Sequence, residues 1–387
     1  MARKRILWLC SWYPNKLEPF NGDFIQRHAR AASLYHDIHV IHLAADVSGR
    51  TEQKETNLHT DGDLSEQIIY YKKELSLWGR LRAHYRWLFL YKQAIRNYIV
   101  KNGKPDLVHV HIPMKAGILG IWLKEKYAIP YIVTEHWGIY NEVEVHNYAS
   151  KNRTFHFYTK QIFDKAVKFI SVSRFLGEAV NRLVLKKSYE VIPNVVDTSL
   201  FFYKEKDNSV FRFIHVSNMV TLKNVEGILR AFALFCSKNS NTELIMVGDT
   251  DPATRNFATG LKIPANKVSF RGEVSYEQVA KEMQQADCFI LFSNIENSPC
   301  VIGEALCCGL PVIATRVGGV PELLDQSNGI LVDAKQEDQL AASMERVITN
   351  YTAYDRRKIS EDAAKIFSSV IIGKQLMNIY DSVTVSR

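Results

Sequence analysis

No stretch of the chain approaches the ~18 consecutive apolar residues of a membrane-crossing helix, so no span is expected. The six cysteines, Cys10, Cys236, Cys288, Cys300, Cys307 and Cys308, form no Cys-x-x-Cys pair. No histidine joins them at zinc-like spacing. They read as small buried hydrophobes in a reducing compartment. Low-complexity tracts, fixed-period repeats and nucleic-acid-binding motifs are also missing. The basic start Met1-Ala2-Arg3-Lys4-Arg5 precedes a short apolar run, Ile6–Cys10, with no cleavage pattern after it. A secretory leader is therefore not expected, and a cytoplasmic protein is.

What is present fits a globular protein rather than a disordered one. Of 387 residues, 47% are apolar and 23% charged, and the length favours two domains. The net charge of +8 is uneven. Residues 1–200 carry 29 Lys+Arg against 19 Asp+Glu, a net of +10, and the remainder carry 20 against 22, a net of −2. The basic half should therefore face something anionic.

Short β-branched runs at Ile6–Cys10, Ile38–Leu43, Leu107–His111, Tyr131–Thr134 and Lys168–Val172 alternate with amphipathic stretches such as Phe24–Tyr35 and Trp78–Lys101. The second half repeats the theme. Strands are predicted at Phe211–Ser217, Glu243–Val247, Lys267–Phe270, Cys288–Phe292 and Pro311–Thr315. Helices are predicted at Val225–Cys236, Tyr276–Gln285, Val301–Cys308 and Gln336–Thr349. Such alternation predicts an α/β fold of two doubly wound, Rossmann-like domains facing across a cleft. The expected domains are 1–196 and 197–368, with 369–387 a C-terminal helix packing back on the first. The segment Ile192–Asn208, with Pro193, Asn194 and the charged run Lys204-Glu205-Lys206-Asp207, is the expected linker.

Chemistry-bearing residues cluster after predicted strands. Glu296 lies on the loop after Phe292, and Glu304 falls in the helix that starts near Val301. Helix-start N–H groups bind anionic or hydroxyl oxygens, and a carboxylate accepts hydrogen bonds from hydroxyls. Gly318-Gly319 and Glu322 suggest a further strand-to-helix turn with close backbone approach. Asn218 and Lys223 follow the strand ending at Ser217, and Phe270-Arg271-Gly272 ends another. In the first half, Gly22 closes the loop Pro14–Asp23, and His136 follows the strand Tyr131–Thr134.

The succession Glu296-x7-Glu304, Gly309-x-Pro311-Val312 and Gly318-Gly319-Val320-Pro321-Glu322 resembles the retaining GT-B glycosyltransferases of family 4. The resemblance implies that Glu296 contacts the transferred sugar and Glu304 the donor ribose. It places Lys223 on the donor diphosphate, where the family also has an arginine; Asn218 stands at that position here. Arg271, Arg316 or Arg174 are candidates to replace the missing charge. Gly272 and Val301 would lie against the donor, Gly22 beside its diphosphate, and His136 near its sugar. Uridine is the family's commonest donor base. The resemblance further implies same-face substitution with retention, no cofactor and no metal. Asp61-Gly62-Asp63 has a metal-motif spelling but sits in a polar stretch and reads as a turn.

The expected partners are a nucleotide-sugar donor and a glycan or lipid-linked acceptor, in the building of a bacterial surface polysaccharide. In the stretch Trp78–Lys101, Arg80, Arg82, Arg86, Lys92, Arg96 and Lys101 interleave with Trp78, Tyr85, Trp87, Phe89 and Tyr91. That pattern suits an anionic membrane surface as well as a packed helix. A sugar-nucleotide epimerase and a non-catalytic donor-binding protein are the alternatives; Asn218 favours the latter.

Overall fold

The computed structural model describes residues 3–47, 49, 54–73, 77–206, 209–249 and 251–384. The chain divides into two compact units: Met1–Val195 with Ser369–Arg387, and Val196–Ser368.

The first unit is built on eight strands: β1 (Arg5–Cys10), β2 (Asp37–Asp46), β3 (Lys54–Asp61), β4 (Leu64–Lys72), β5 (Leu107–His111), β6 (Tyr131–Glu135), β7 (Lys168–Ser171) and β8 (Glu190–Val191). Their order is β3-β4-β2-β1-β5-β6-β7-β8. All neighbours are parallel except β3, which pairs antiparallel with β4. The helices are α1 (Asp23–Ser33), α2 (Leu77–Asn102), α3 (Pro113–Tyr127), α4 (Arg153–Lys165) and α5 (Arg174–Leu183).

Strand side chains alternate between two cores, as a period of two requires. Leu7, Leu9, Val108 and Val110 point into one core with Tyr91 and Ile95 of α2, Leu119 of α3 and Phe163 of α4. Ile6, Trp8 and Cys10 point into the other, with Ile25 and Ala29 of α1. That second core is closed from the far end of the sequence by Ile372, Leu376 and Tyr380.

The second unit carries β9 (Phe211–Val216), β10 (Thr242–Val247), β11 (Val268–Gly272), β12 (Cys288–Leu291), β13 (Val312–Thr315) and β14 (Gly329–Val332). Their order is β11-β10-β9-β12-β13-β14, all parallel. This is the 3-2-1-4-5-6 arrangement of a doubly wound sheet. Helices α6 (Val225–Cys236), α7 (Pro252–Gly260), α8 (Tyr276–Gln285), α9 (Cys300–Cys307), α10 (Glu337–Thr349) and α11 (Arg356–Phe367) flank it. The last helix, α12 (Ser369–Thr384), belongs to the first unit.

The stretch around Asp61-Gly62-Asp63 is a turn, as its sequence reads: it closes the β3–β4 hairpin, with Gly62 at φ 55°. Other expectations are corrected. Strand β3 is exposed along its whole length, so it shows no apolar signal. Gly318–Glu322 opens no full helix, only a three-residue 3-10 turn at Val320–Glu322. The expected linker is packed as well: Phe201 is fully buried, and Lys206 is paired with Asp287 at 2.7 Å. Asp207 and Asn208 lie outside the described residues. In α2, Trp87 and Tyr91 are buried in the core, while Tyr85 and Phe89 are 71% and 61% exposed. The side chains of Trp78 and Arg80 lie outside the described ones. Among the described residues no helix is long and apolar enough to cross a membrane. All six cysteines are free thiols, and four of them are buried.

The α1–α12 contact holds the C-terminal helix. A Cβ at Gly373 would fall 2.2 Å from the Ala31 carbonyl oxygen. Tyr35 donates to the Val370 carbonyl at 3.1 Å, and Lys4 pairs with Asp381 at 2.5 Å. Gly373→Ala should therefore displace α12 and destabilise the first unit by about 1–3 kcal/mol. Gly260→Ala, with nothing within 4 Å of its Cβ position, should be near neutral. Thermal melting of both variants checks this; equal midpoints would refute it.

Candidate functional site

In a doubly wound sheet the loops at the strand carboxyl ends diverge where strand order reverses. In the second unit that point lies between β9 and β12. The loop after β9 carries Asn218 and Lys223, and the loop after β12 carries Glu296. The two loops are joined by the Asn294 N–H donating to the Leu222 carbonyl at 2.8 Å. From 73 positions away in the sequence, the Lys223 Nζ meets Glu296 Oε1 at 2.5 Å. Ser293 Oγ donates to the same carboxylate oxygen at 2.7 Å.

The backbone of Glu296 is located by the glycine pair downstream. Gly318 has φ 54°, and a Cβ there would lie 1.6 Å from the Glu296 carbonyl oxygen. Gly319 N–H donates to that oxygen at 3.2 Å. The close approach that these glycines permit is thus to the chain's own Glu296. The sequence shows the glycines but not their partner.

Glu304 sits in α9, 3% exposed, and accepts a hydrogen bond from Tyr276 Oη at 2.8 Å. Val301 is in the first turn of α9, whose cap position is Pro299, a residue without a side-chain cap. Gly272 has φ 74°, and its carbonyl accepts from the Gly248 N–H at 2.9 Å. A Cβ at Gly272 would meet nothing within 4 Å. Asn218 is exposed on its loop. Of the three arginines considered in its place, Arg271 reaches Glu282 at 3.5 Å and Arg316 reaches Asp333 at 3.9 Å. Arg174 starts α5, in the first unit.

In the first unit Gly22 caps α1 at φ 76°. A Cβ there would come within 2.8 Å of the Trp12 carbonyl carbon and 2.9 Å of Tyr13 N. The chain itself therefore demands glycine at this position. His136 directly follows β6 and is 8% exposed. Its Nε2 lies 3.2 Å from His111 Nδ1, and its ring stands 4.9 Å from Phe24 and 5.6 Å from His28. Glu135 fixes this turn. Its Oε1 accepts from the backbone N–H groups of His136 and Trp137 at 2.8 and 2.9 Å, and its Oε2 from Tyr140 Oη at 2.8 Å.

The family described as glycosyl transferases group 1 matches residues 197–366, and Glycosyltransferase Family 4 matches residues 24–200. The chain belongs to the GT-B glycosyltransferases of family 4. It is 26% identical over 364 residues to TuaC of Bacillus subtilis, a glycosyltransferase named for teichuronic acid biosynthesis, covering 88% of each chain. Among solved structures it is similar to sucrose-phosphate synthase from Thermosynechococcus elongatus, with a TM-score of 0.76, 18% identity and all of both chains covered. It is also similar to HepE of Anabaena in complex with UDP, with a TM-score of 0.74 and 20% identity over 98% of this chain and 100% of that one.

Sequence reasoning missed several residues of this transferase. Ser293 and Tyr276, which hold the two glutamates, have no distinctive spelling. Neither does Glu135, whose partners all lie within five residues. The signal for the histidines was visible: His109 and His111, two apart on one strand, must share a face. That face packs on Trp8, His109 edge-on at 4.8 Å and His111 stacked at 4.0 Å between ring centroids. His109 bonds Tyr380 Oη at 2.8 Å and Thr134 Oγ1 at 2.7 Å. The His28 ring nitrogens lie 2.9 and 3.1 Å from the carbonyl oxygens of Phe24 and Pro193, and the neutral ring donates its one N–H to one of them.

Burial keeps all four imidazoles neutral. His28 is lowered to about 4. His109, His111 and His136 lie well below the ordinary value, first through burial and then through their neighbouring imidazoles; a hydrogen bond with Asn194 pulls His136 back upward. Glu135 moves the other way: burial pushes its carboxyl up to about 7, against its three hydrogen bonds.

Below an unfolded histidine value of 6.5, the unfolded chain takes up protons that the fold refuses. Stability should therefore fall as pH drops from about 6.5 toward 4, His28 alone accounting for about 3 kcal/mol. Glu135 binds its proton in the folded state first and offsets part of the loss between about 7 and 4.5. Glu135→Gln should steepen the decline. Urea midpoints from pH 7.5 to 4.5 test both signs; a flat wild-type profile would refute the histidine account.

Proposed function

We propose that this transferase moves a hexose-type sugar from a nucleotide-sugar donor to a glycan or lipid-linked acceptor, with retention, in surface polysaccharide synthesis. The observation carrying the reading is the Lys223–Glu296 pair at the switch point of the second sheet. One group supplies the charge a diphosphate needs, and the other accepts hydrogen bonds from sugar hydroxyls. Here each neutralises the other, so a donor exchanges one ion pair for two sets of contacts. The UDP-bound structure of HepE supports a uridine donor, and the naming of TuaC supports a polysaccharide product.

In this mechanism Lys223 and the N-terminus of α9 stabilise the charge growing on the departing diphosphate. Gly22, Asn218, Gly272 and Val301 line the donor through backbone and amide groups, and Glu304, presented by Tyr276, takes the ribose. Glu296 orients the transferred sugar. His136, neutral and bonded to His111, contacts the reacting sugar rather than shuttling a proton at pH 7. The acceptor hydroxyl loses its proton to the leaving phosphate on the same face. No metal is invoked. Asp63 is occupied by an ion pair with Arg3 at 2.8 Å, and among the described residues no group of three or more His, Cys, Asp or Glu could hold one.

The acceptor side is assigned to the basic first unit. Arg82, Tyr85, Phe89 and Arg96 of α2 are exposed at spacings that share one helix face. Exposed aromatics beside arginines suit an anionic bilayer holding a lipid-linked acceptor. The exposed Asn218 favours the second reading, a protein that binds donor without turnover.

Lys223→Ala and Glu296→Ala should each lower kcat/KM by about 10²–10³-fold while the fold melts as before. Release of UDP from a panel of UDP-sugars, with and without acceptor, measures this. Near-normal turnover in both variants would defeat the assignment, and UDP-sugar binding without any turnover would favour the second reading. A chelator should leave the rate unchanged. Loss of activity reversed by manganese would overturn the metal-free mechanism. Binding to vesicles containing anionic lipid should weaken in Arg82→Glu/Arg96→Glu; equal, negligible binding with and without anionic lipid would end the membrane proposal.

A further inference from the structure

The first unit has a switch point of its own, between β1 and β5. Ser11 and Trp12 leave there on one side, and Ile112 on the other. The edge is held by unusual means. Ser11 N–H donates to the His111 carbonyl at 3.1 Å, and Ser11 Oγ to the Ile112 carbonyl at 2.7 Å. The Ala116 N–H returns to Ser11 Oγ at 3.2 Å. Ile112 is β-branched and fully buried, yet its φ is 59°. A left-handed β-branched residue is strained, and such strain persists only where the surroundings impose it. One strand further, the buried Glu135 carboxylate fixes the turn that presents Trp137.

What these constraints hold in place is aromatic. Trp12 and Trp137 stand nearly perpendicular, with ring centroids 5.8 Å apart and planes at 67°. Both remain only partly buried and pack, like Phe24, against the second core; the Phe24 ring lies 4.9 Å from that of the buried His136. Phe155 of α4 meets Trp137 edge-on at 6.2 Å. The Lys151 ammonium lies 6.0 Å from the Trp137 ring centre, at the outer limit of cation–π contact. Glu142 and Glu144 belong to the same connection, but among the described residues Lys151 makes no ion pair with a carboxylate, theirs included.

We propose that the corner between Trp12 and Trp137 is an acceptor subsite that takes the ring of an anionic pyranoside, with Lys151 meeting its acidic group. The apolar C–H face of a pyranose packs on the electron-rich face of an indole, and the indole N–H is left to donate to a ring hydroxyl. Lys151, weakly held over the ring, supplies the charge. A carboxylate or a phosphate on the sugar fits equally, and the net of +10 over residues 1–200 suits either. This subsite deepens the transferase reading and rests on it, because an acceptor presupposes transfer.

The test follows the six indole N–H signals of ¹⁵N-labelled protein, with Trp12→Phe and Trp137→Phe identifying two of them. Methyl glucuronide, methyl glucoside, glucose 6-phosphate and inorganic phosphate are titrated separately. The Trp12 and Trp137 signals should move with all three sugars, and the two anionic sugars should bind about three- to fivefold more tightly than methyl glucoside. Lys151→Ala should erase that preference and leave methyl glucoside binding unchanged. Comparison of the two anionic sugars tells carboxylate from phosphate. Stationary Trp12 and Trp137 signals with every sugar, equal shifts with inorganic phosphate alone, or an undiminished preference in Lys151→Ala would each overturn the proposal. UDP is titrated in parallel by thermal shift. Failure of UDP to bind any form of the protein sinks the proposed uridine-donor transfer on which the subsite rests, whatever the indoles do. UDP binding intact in Trp12→Phe and Trp137→Phe, beside silent indoles, sinks the subsite alone.

Discussion

Parallel strands covered on both faces leave one place for polar chemistry, the loops at their carboxyl ends. The proposed donor and acceptor sites both depend on that constraint. In both sheets the first strand has neighbours on each side whose connections run in opposite directions. The loops after β9 and β12 therefore part, and side chains 73 residues apart in sequence meet between them. The loops after β1 and β5 leave the first sheet at its own switch point, with Trp12 partly buried and His111 fully buried.

The two units hold their functional groups by different physics. The second uses charge against charge, a lysine and a glutamate steadied by Ser293, with glycines that let two backbones touch. An ion pair of this kind is specific in direction but opens readily to a charged ligand. The first unit excludes charge instead. Its four imidazoles are packed against Trp8 and one another, each held neutral by burial. Buried neutral imidazoles need partners, and the fold provides them from distant chain segments: Thr134, Tyr380 and the Pro193 carbonyl. Without the C-terminal helix, His109 would lose the phenol that orients it. The terminal residues thus belong energetically to the first unit.

Much of the fold was legible because its elements obey a single period. Leu107–His111, Val225–Cys236 and Tyr276–Gln285 fall at the residues that their apolar spacing marks. The β3–β4 hairpin was missed because β3 is polar and exposed throughout, an edge strand with no buried face to reveal it. Helix α3 was missed for the opposite reason. It packs apolar residues and glycines on several sides, and Gly117 and Gly120 admit Ile162 and Tyr131 so closely that no amphipathic stripe is needed.

For the site, the sequence by itself determined the order of Glu296, Glu304, Gly309 and Gly318-Gly319, a local spelling from which local geometry follows. Tertiary structure alone decided the contacts. It decided that Lys223 closes on Glu296, that Gly318 serves Glu296 rather than a ligand, and that Tyr276 presents Glu304. It also buried Trp87 and Tyr91 of an aromatic-rich helix while leaving Tyr85 and Phe89 outside. The reason is one of range. Periodicity and turn chemistry act over a few residues, whereas a hydrogen bond or an ion pair joins whichever side chains the sheet order brings within 3 Å, and sheet order is a property of the whole chain.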